Sequence, residues 1–137
     1  MQTFLPYRSF DKSAKCLDYR RLGCQRKEAK QILDILLNRT DKKGWRNHPC
    51  VRMWKNHTEC LKMYYNTILN EWIRRGYNNT MQHEYIDIFS LATTKNPPWL
   101  TDKFCAAHRS NLLRKDPEWY GQFGWKEKPD MEYIWPV

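Results

Sequence analysis

SAKCLDYRRLGCQRKEAKQILDILLN, residues 13–38, decides the fold. Ala14, Leu17, Leu22, Ala29, Ile32, Leu33 and Leu36 recur at spacings that share one helix face. Lys15, Arg20, Arg21, Arg26, Lys27 and Lys30 give the same segment a basic side. The spacing predicts one long helix from about Ser13 to Asn38, capped by Ser9 or Asp11 and interrupted near its middle by Gly23. Residues 1–12, with Pro6 and Ser9 to Asp11 opposing regular structure, read as an irregular leader.

Outward from that helix, Thr40 to Pro49 is a loop containing Gly44-Trp45-Arg46-Asn47-His48-Pro49. A second long helix is expected from about Val51 to Arg75, with Val51, Trp54, Leu61, Tyr65, Ile68, Leu69 and Trp72 as its apolar stripe. Gly76 suits its C-cap, and Arg74 and Arg75 suit the negative end of its dipole. Residues 77–100 are polar and irregular, ending in Asn96-Pro97-Pro98-Trp99. Thr101 or Asp102 caps a third helix to about Lys115, which Asp116-Pro117 stops. Glu118 to Val137, rich in aromatics, Gly and Pro, reads as extended chain packed over the helices. No strand alternation, repeat or low-complexity run competes. The expectation is all-α: a single compact domain over residues 1–137, with about three helices, long loops and an aromatic-rich C-terminal extension.

Composition narrows the partners. The 137 residues hold 24 Lys plus Arg against 15 Asp plus Glu, a net charge of +9, with a pI near 9.4. Such a surface attracts polyanions, nucleic acid above all. Aromatics make up 15% of the chain, including seven Trp, more than a core this small needs. The rest can stack on or wedge between flat groups. The five cysteines (16, 24, 50, 60 and 105) form no C-x-x-C pair and are odd in number. A disulfide framework and a zinc ribbon are thereby disfavoured, and reduced thiols are expected. His48, His57, Cys50 and Cys60 match no metal-ligand spacing, and no phosphate-binding Gly loop or nucleophile-elbow motif is present. No metal and no organic cofactor are expected. The N-terminus lacks the apolar core of a secretion signal, and no apolar run approaches the roughly 18 residues of a membrane span. The expectation is therefore a cytoplasmic protein, nucleoid-associated or viral, acting as a monomer without a membrane.

One acid stands out. Glu28 sits in Arg26-Lys27-Glu28-Ala29-Lys30, and no other acid lies between Asp18 and Asp34. It reads either as a partner in helix salt bridges or as a carboxylate held beside DNA for a catalytic task, since phosphates would otherwise repel it. The run Trp119-Tyr120-Gly121-Gln122-Phe123-Gly124-Trp125 reads either as core or as a stacking surface for bases.

In order and spacing these features resemble the pyrimidine-dimer DNA glycosylases of the phage endonuclease V type. The likeness lies in Lys27-Glu28-Ala29 on the first helix, in Arg74-Arg75-Gly76-Tyr77-Asn78 closing the second, and in Trp119-Tyr120-Gly121-Gln122-Phe123-Gly124 near the end. Gly44-Trp45-Arg46-Asn47-His48-Pro49 and His108-Arg109-Ser110-Asn111-Leu112-Leu113-Arg114-Lys115 resemble a cellular branch of that family. The resemblance implies double-stranded damaged DNA as partner. It also implies a glycosylase with AP lyase activity, in which a free N-terminal amine attacks C1′, an imine forms, and β-elimination cuts the strand. A different modified base, or a non-catalytic nucleic-acid-binding module on the same scaffold, is the alternative.

An α-amine titrates near pH 8, about two units below lysine, so part of it is neutral and nucleophilic at neutral pH. By resemblance the amine belongs to Met1, or to Gln2 if Met1 is removed, and Glu28 stabilises the sugar cation. A second register, through Asp18-Tyr19-Arg20-Arg21-Leu22, would put Arg21 at the acid position. Glu28 is preferred because its distance to the Gly44 loop fits the cellular branch. Arg20, Arg21, Arg26, Lys27, Lys30, Arg46 and Arg109 are the expected phosphate contacts. Asn47 and His48 join Arg46 either at DNA or in ordering the loop. Trp119 and Tyr120 are expected on the lesion side, and His108 either bonds within the core or meets DNA.

Overall fold

The computed structural model describes residues 1–42, 44–93 and 96–137, with no side-chain description at residue 93. Its regular elements are helical throughout: α1 (Phe10–Cys16), α2 (Tyr19–Leu36), α3 (Pro49–Met53), α4 (Thr58–Arg74), α5 (Ile88–Thr93), α6 (Asp102–Lys115) and α7 (Pro117–Tyr120), followed by a 3-10 turn at Gly121–Phe123. The all-α expectation holds, but each of the first two long helices is divided.

The first division falls at Leu17-Asp18 and not at Gly23. Leu17 is extended (φ −68°, ψ 139°), and Asp18 caps α2 by accepting the Arg21 N–H at 3.4 Å. A side chain that caps a helix start favours extended backbone at its own position, so it competes with helix continuation. The carbonyls at the end of α1 are also met from elsewhere, since the Arg75 guanidinium donates to those of Ala14 at 3.3 Å and Lys15 at 3.0 Å. The second division falls at residues 54–57, where Asn56 takes a positive φ of 69°, a conformation Asn tolerates better than other side chains. His48 caps α3 with Pro49 in its first turn. Thr101 caps α6 as expected, accepting the Phe104 N–H at 3.2 Å. Gly76 supplies the left-handed residue after α4 with φ 87°.

The core forms where α2 and α4 pack together, with α1 laid on α4. Leu17, Leu22, Ile32, Leu33, Leu61 and Ile68 are sealed in it, each contributing about 1.5–3 kcal/mol by leaving water. The leader is not a loose end. Residues 2–6 are buried, threaded between the helices and bonded at each step. Trp54 Nε1 donates to the Thr3 hydroxyl at 3.0 Å, and the Leu5 N–H donates to His108 Nδ1 at 2.9 Å. Arg109 donates to the Pro6 carbonyl at 2.8 Å. Residues 78–87 run as a strap along α4, with Trp72 Nε1 on the Asn78 carbonyl at 2.8 Å, Tyr65 on that of Gln82 at 2.7 Å, and Asn66 on that of Glu84 at 3.0 Å. Polar composition thus marked a strap whose backbone is held by side chains rather than by regular structure.

Candidate active site

The threading of the leader carries the start of the chain to the side of α2. A cavity of about 310 Å³ opens there, lined by Met1, Gln2, Phe4, Arg21, Cys24, Gln25, Glu28, Lys115, Tyr133 and Trp135. Met1 is half-buried against the core. A larger cleft of about 1000 Å³ lies among Phe10, Cys60, Met63, Leu91 and Pro97. Among the described residues lining that cleft, the one carboxylate is Asp11, which is exposed and paired with Lys15 at 2.9 Å. Size points to the cleft, but chemistry points to the smaller cavity.

Gln25 organises the smaller cavity. It is fully buried, at an apolar-stripe position of α2 one turn before Glu28. Its Nε2 donates to the Gln2 carbonyl and to Glu28 Oε2, both at 2.9 Å. Its Oε1 accepts the Phe4 N–H at 2.9 Å and the Tyr64 hydroxyl at 2.5 Å. One amide therefore ties the backbone next to the N-terminal amine to the carboxylate that faces it. Burial raises the pKa of Glu28. The positive amine, the Gln2 backbone N–H and Gln25 pull the other way, and the net shift is upward. A carboxyl so placed holds or releases a proton more readily near neutral pH than an exposed one. Burial first, and the same positive amine second, lower the pKa of His48. Its Nδ1 accepts the Cys50 N–H at 3.0 Å.

The expected site residues separate into three groups. Met1, Gln2 and Glu28 share the cavity, and Arg21 joins them two turns earlier on the same wall, with its guanidinium on Asp18 at 3.2 Å. Of the two registers, Glu28 is the one that brings a carboxylate to the amine. Arg20, Lys27, Arg46 and Asn47 are exposed, with both Arg20 and Lys27 on the solvent face of α2. The third group is engaged inside the protein. Lys30 pairs with Asp34 at 3.0 Å and Glu84 at 3.1 Å, and Arg26 lies 3.9 Å above the Trp72 ring.

Four other expected residues are engaged within the fold to different degrees. Arg109 is clamped by Glu127 at 2.8 and 3.2 Å, so it ties the fold together rather than projecting a charge. Tyr120 is wholly buried with its hydroxyl on Asp18, which leaves no face for a base. Trp119 keeps an edge in solvent (38% exposed), while its Nε1 donates to the Cys16 carbonyl at 2.8 Å. His108 is sealed in the core, accepting from Leu5. His48, His57, Cys50 and Cys60 do not gather, and among the described residues no group of three His, Cys, Asp or Glu is placed to hold a metal.

Sequence reasoning missed Gln25, Tyr64, Lys115, Tyr133 and Trp135. Gln25 was legible as a polar residue in an apolar stripe. Tyr64 braces Gln25 from the core, and Lys115, Tyr133 and Trp135 reach the cavity from far along the chain, which no local pattern signals.

A family model described as pyrimidine dimer DNA glycosylase matches residues 1–85. No curated protein and no solved structure matches the chain.

Proposed function

The chain belongs to the pyrimidine dimer DNA glycosylase family, and on that premise we propose that it excises damaged pyrimidines from duplex DNA and cuts the strand at the resulting abasic site. Cyclobutane dimers are the substrate to test first. The supporting observation is the cavity that Met1 and Glu28 share, in which Gln25 joins the Gln2 carbonyl to Glu28.

In this reading the neutral amine attacks C1′. A nitrogen–carbon bond forms, the glycosidic bond breaks, and the base leaves with the electron pair and takes a proton. Opening of the C1′–O4′ bond gives an iminium joining C1′ to the protein. Loss of a C2′ proton then expels the 3′ phosphate, and water releases the amine. Glu28 stabilises the positive charge that builds on the sugar and exchanges the protons. Arg21 and Lys115 at the cavity, with Arg20, Lys27 and Arg46 outside it, contact phosphates.

The test is borohydride reduction on UV-irradiated duplex and on duplex carrying an abasic site. A covalent protein–DNA adduct is expected on both. Peptide mapping identifies whether the amine is that of Met1 or Gln2. Glu28→Gln is expected to slow cleavage about 100-fold or more, the scale of a positioned acid–base group. Binding with no adduct on either substrate would make the chain a non-catalytic DNA-binding module.

A further inference from the structure

Tyr64 and Gln25 hold the wall of the candidate site from behind. Both are sealed from solvent, Tyr64 on α4 and Gln25 on α2. The Tyr64 ring is fixed against Phe10 at 5.7 Å and Trp54 at 6.2 Å. Its hydroxyl carries one proton and faces two acceptors, Gln25 Oε1 at 2.5 Å and the Phe4 carbonyl at 2.9 Å. Gln25 Oε1 also takes the Phe4 N–H at 2.9 Å. Two donors therefore converge on one end of the amide.

Shape alone allows a buried amide to sit either way round, so its partners decide. Turned over, Gln25 would set Nε2 against the Phe4 N–H, donor to donor. Its Oε1 would then face the Gln2 carbonyl and Glu28 Oε2, acceptor to acceptor. Each such buried mismatch forfeits a hydrogen bond and strands a polar group. In the orientation that satisfies these partners, both Nε2 protons are committed, one to the Gln2 carbonyl and one to Glu28. The Phe4 N–H reaches Oε1 only with the leader threaded into the core. How the amide faces Glu28 therefore depends on the seating of the residues that carry the amine.

We propose that Gln25, locked by Tyr64 and the Phe4 N–H, is a positioning residue that favours the ionised form of Glu28 only while the leader is seated. Its service to catalysis rests on the lyase reading, and it acts through Glu28 rather than on the substrate. An N–H aimed at a carboxylate favours its charged form. Burial pushes the Glu28 pKa up, and the Gln25 donor is one of the groups that restrain it. Met1 with its amine, Arg21 and Cys24 of α2, Lys115 of α6 and Tyr133 line the same cavity. From inside, Cys50 of α3 and Tyr64 of α4 act on Glu28, both raised by burial and therefore neutral. Without the Gln25 donor the carboxyl would keep its proton to higher pH, and the charge that stabilises the sugar cation would be lost there.

The first measurement needs no DNA and no change to the core. The side-chain amide protons of Gln25 in the full-length chain are followed by NMR against pH. One of them is expected to shift with the titration of the Glu28 carboxyl, read from its carbon resonance, and to hold still in Glu28→Gln. Amide protons that ignore Glu28, or that exchange with water as fast as those of an exposed glutamine, would overturn the lock. Gln25→Met keeps the length of the side chain and removes the donor, with melting temperature as the folding control. Its Glu28 carboxyl is expected to titrate about one pH unit higher, a tenfold gain in proton affinity, the scale of one hydrogen bond to a charged group. An unchanged titration there counts against the proposal.

The second measurement is cleavage of a preformed abasic site against pH. In Gln25→Met the acidic limb is expected to move upward with the carboxyl, while affinity for the duplex stays at the parent's level because Gln25 is sealed. Tyr64→Phe leaves the Phe4 N–H on Oε1 and is expected to move the limb the same way by less. A loss of rate that is uniform across pH would make Gln25 a merely structural residue and sink the positioning role. If borohydride traps no adduct while the amide and carboxyl still titrate together, the lyase reading alone falls. If Gln25→Met forms adducts with the parent's pH dependence, the lyase reading stands and the positioning role falls.

Discussion

His108 sits in the core with its Nδ1 accepting the Leu5 N–H at 2.9 Å, and full burial lowers its pKa from 6.5 to about 3. The folded state therefore keeps it neutral where the unfolded chain would protonate it. Below pH 6.5 the unfolded state binds more protons, so stability rises with pH through this window and is lost as pH falls from 6.5 toward 3. At 1.36 kcal/mol per unit, the loss between pH 6.5 and 4 is on the order of 3 kcal/mol. His108→Asn keeps an acceptor for Leu5 and removes the titration. Melting temperature against pH should fall steeply below 6.5 in the parent and flatten in the variant. The sequence left His108 between the core and DNA, because a histidine in an apolar run looks the same in both. Glu28 differed, since an acid alone on a basic helix side is visible before any fold is known. Its partner amine is not visible in the same way, because the two, with 26 residues between them, meet only when the leader is threaded into the core.

At the scale of elements, α2 shows how packing overrides local preference. Gly23 suggested an interruption, yet the helix runs through it. A Cβ there would lie 3.1 Å from Trp72 Cζ3. Trp72 has little room to withdraw, because its Nε1 is bonded to the Asn78 carbonyl and its ring lies against Tyr19, Tyr77 and Arg26. Glycine therefore permits the close approach of α2 to α4. Gly23→Ala should gain helix propensity of about 1 kcal/mol and lose more than that to overpacking, typically 1–3 kcal/mol. The expected outcome is a net loss of about 1 kcal/mol, read from the denaturant midpoint, and a gain in stability would show that the two helices can part. The actual break at Asp18 carried its signal in the sequence, a capping acid followed three residues later by its N–H donor. Helical periodicity on both sides hid it, because α1 and α2 turn their apolar faces to the same core.

For the whole molecule, the +9 charge is unevenly available. Arg20, Lys27 and Arg46 are exposed, whereas Lys30 and Arg109 are held by carboxylates. Replacing Arg20 and Lys27 together by Ala should reduce the slope of log affinity against log salt by about 1.8, at about 0.9 per phosphate contact on duplex DNA. Arg109→Ala should leave that slope unchanged. It should instead lower stability by about 2 kcal/mol, the scale of lost hydrogen bonds to a charged group, because Glu127 and the Pro6 carbonyl lose their donor. A titration showing the reverse assignment would place the DNA on the Arg109 side.

By itself the sequence determined the helical class, the stripes that α2 and α4 bury, the end of α4, both ends of α6, and the family. Each of these is local, because helix period, capping side chains and motif order depend on neighbours within a few turns. The tertiary structure alone decided that the leader is a buried thread, that two long helices are four, and that Met1, Gln2, Arg21, Gln25, Glu28, Lys115, Tyr133 and Trp135 face one cavity. Those outcomes depend on which surfaces exclude water together, and on buried amides such as Gln25 finding partners far along the chain. Spacing in the sequence does not encode such meetings.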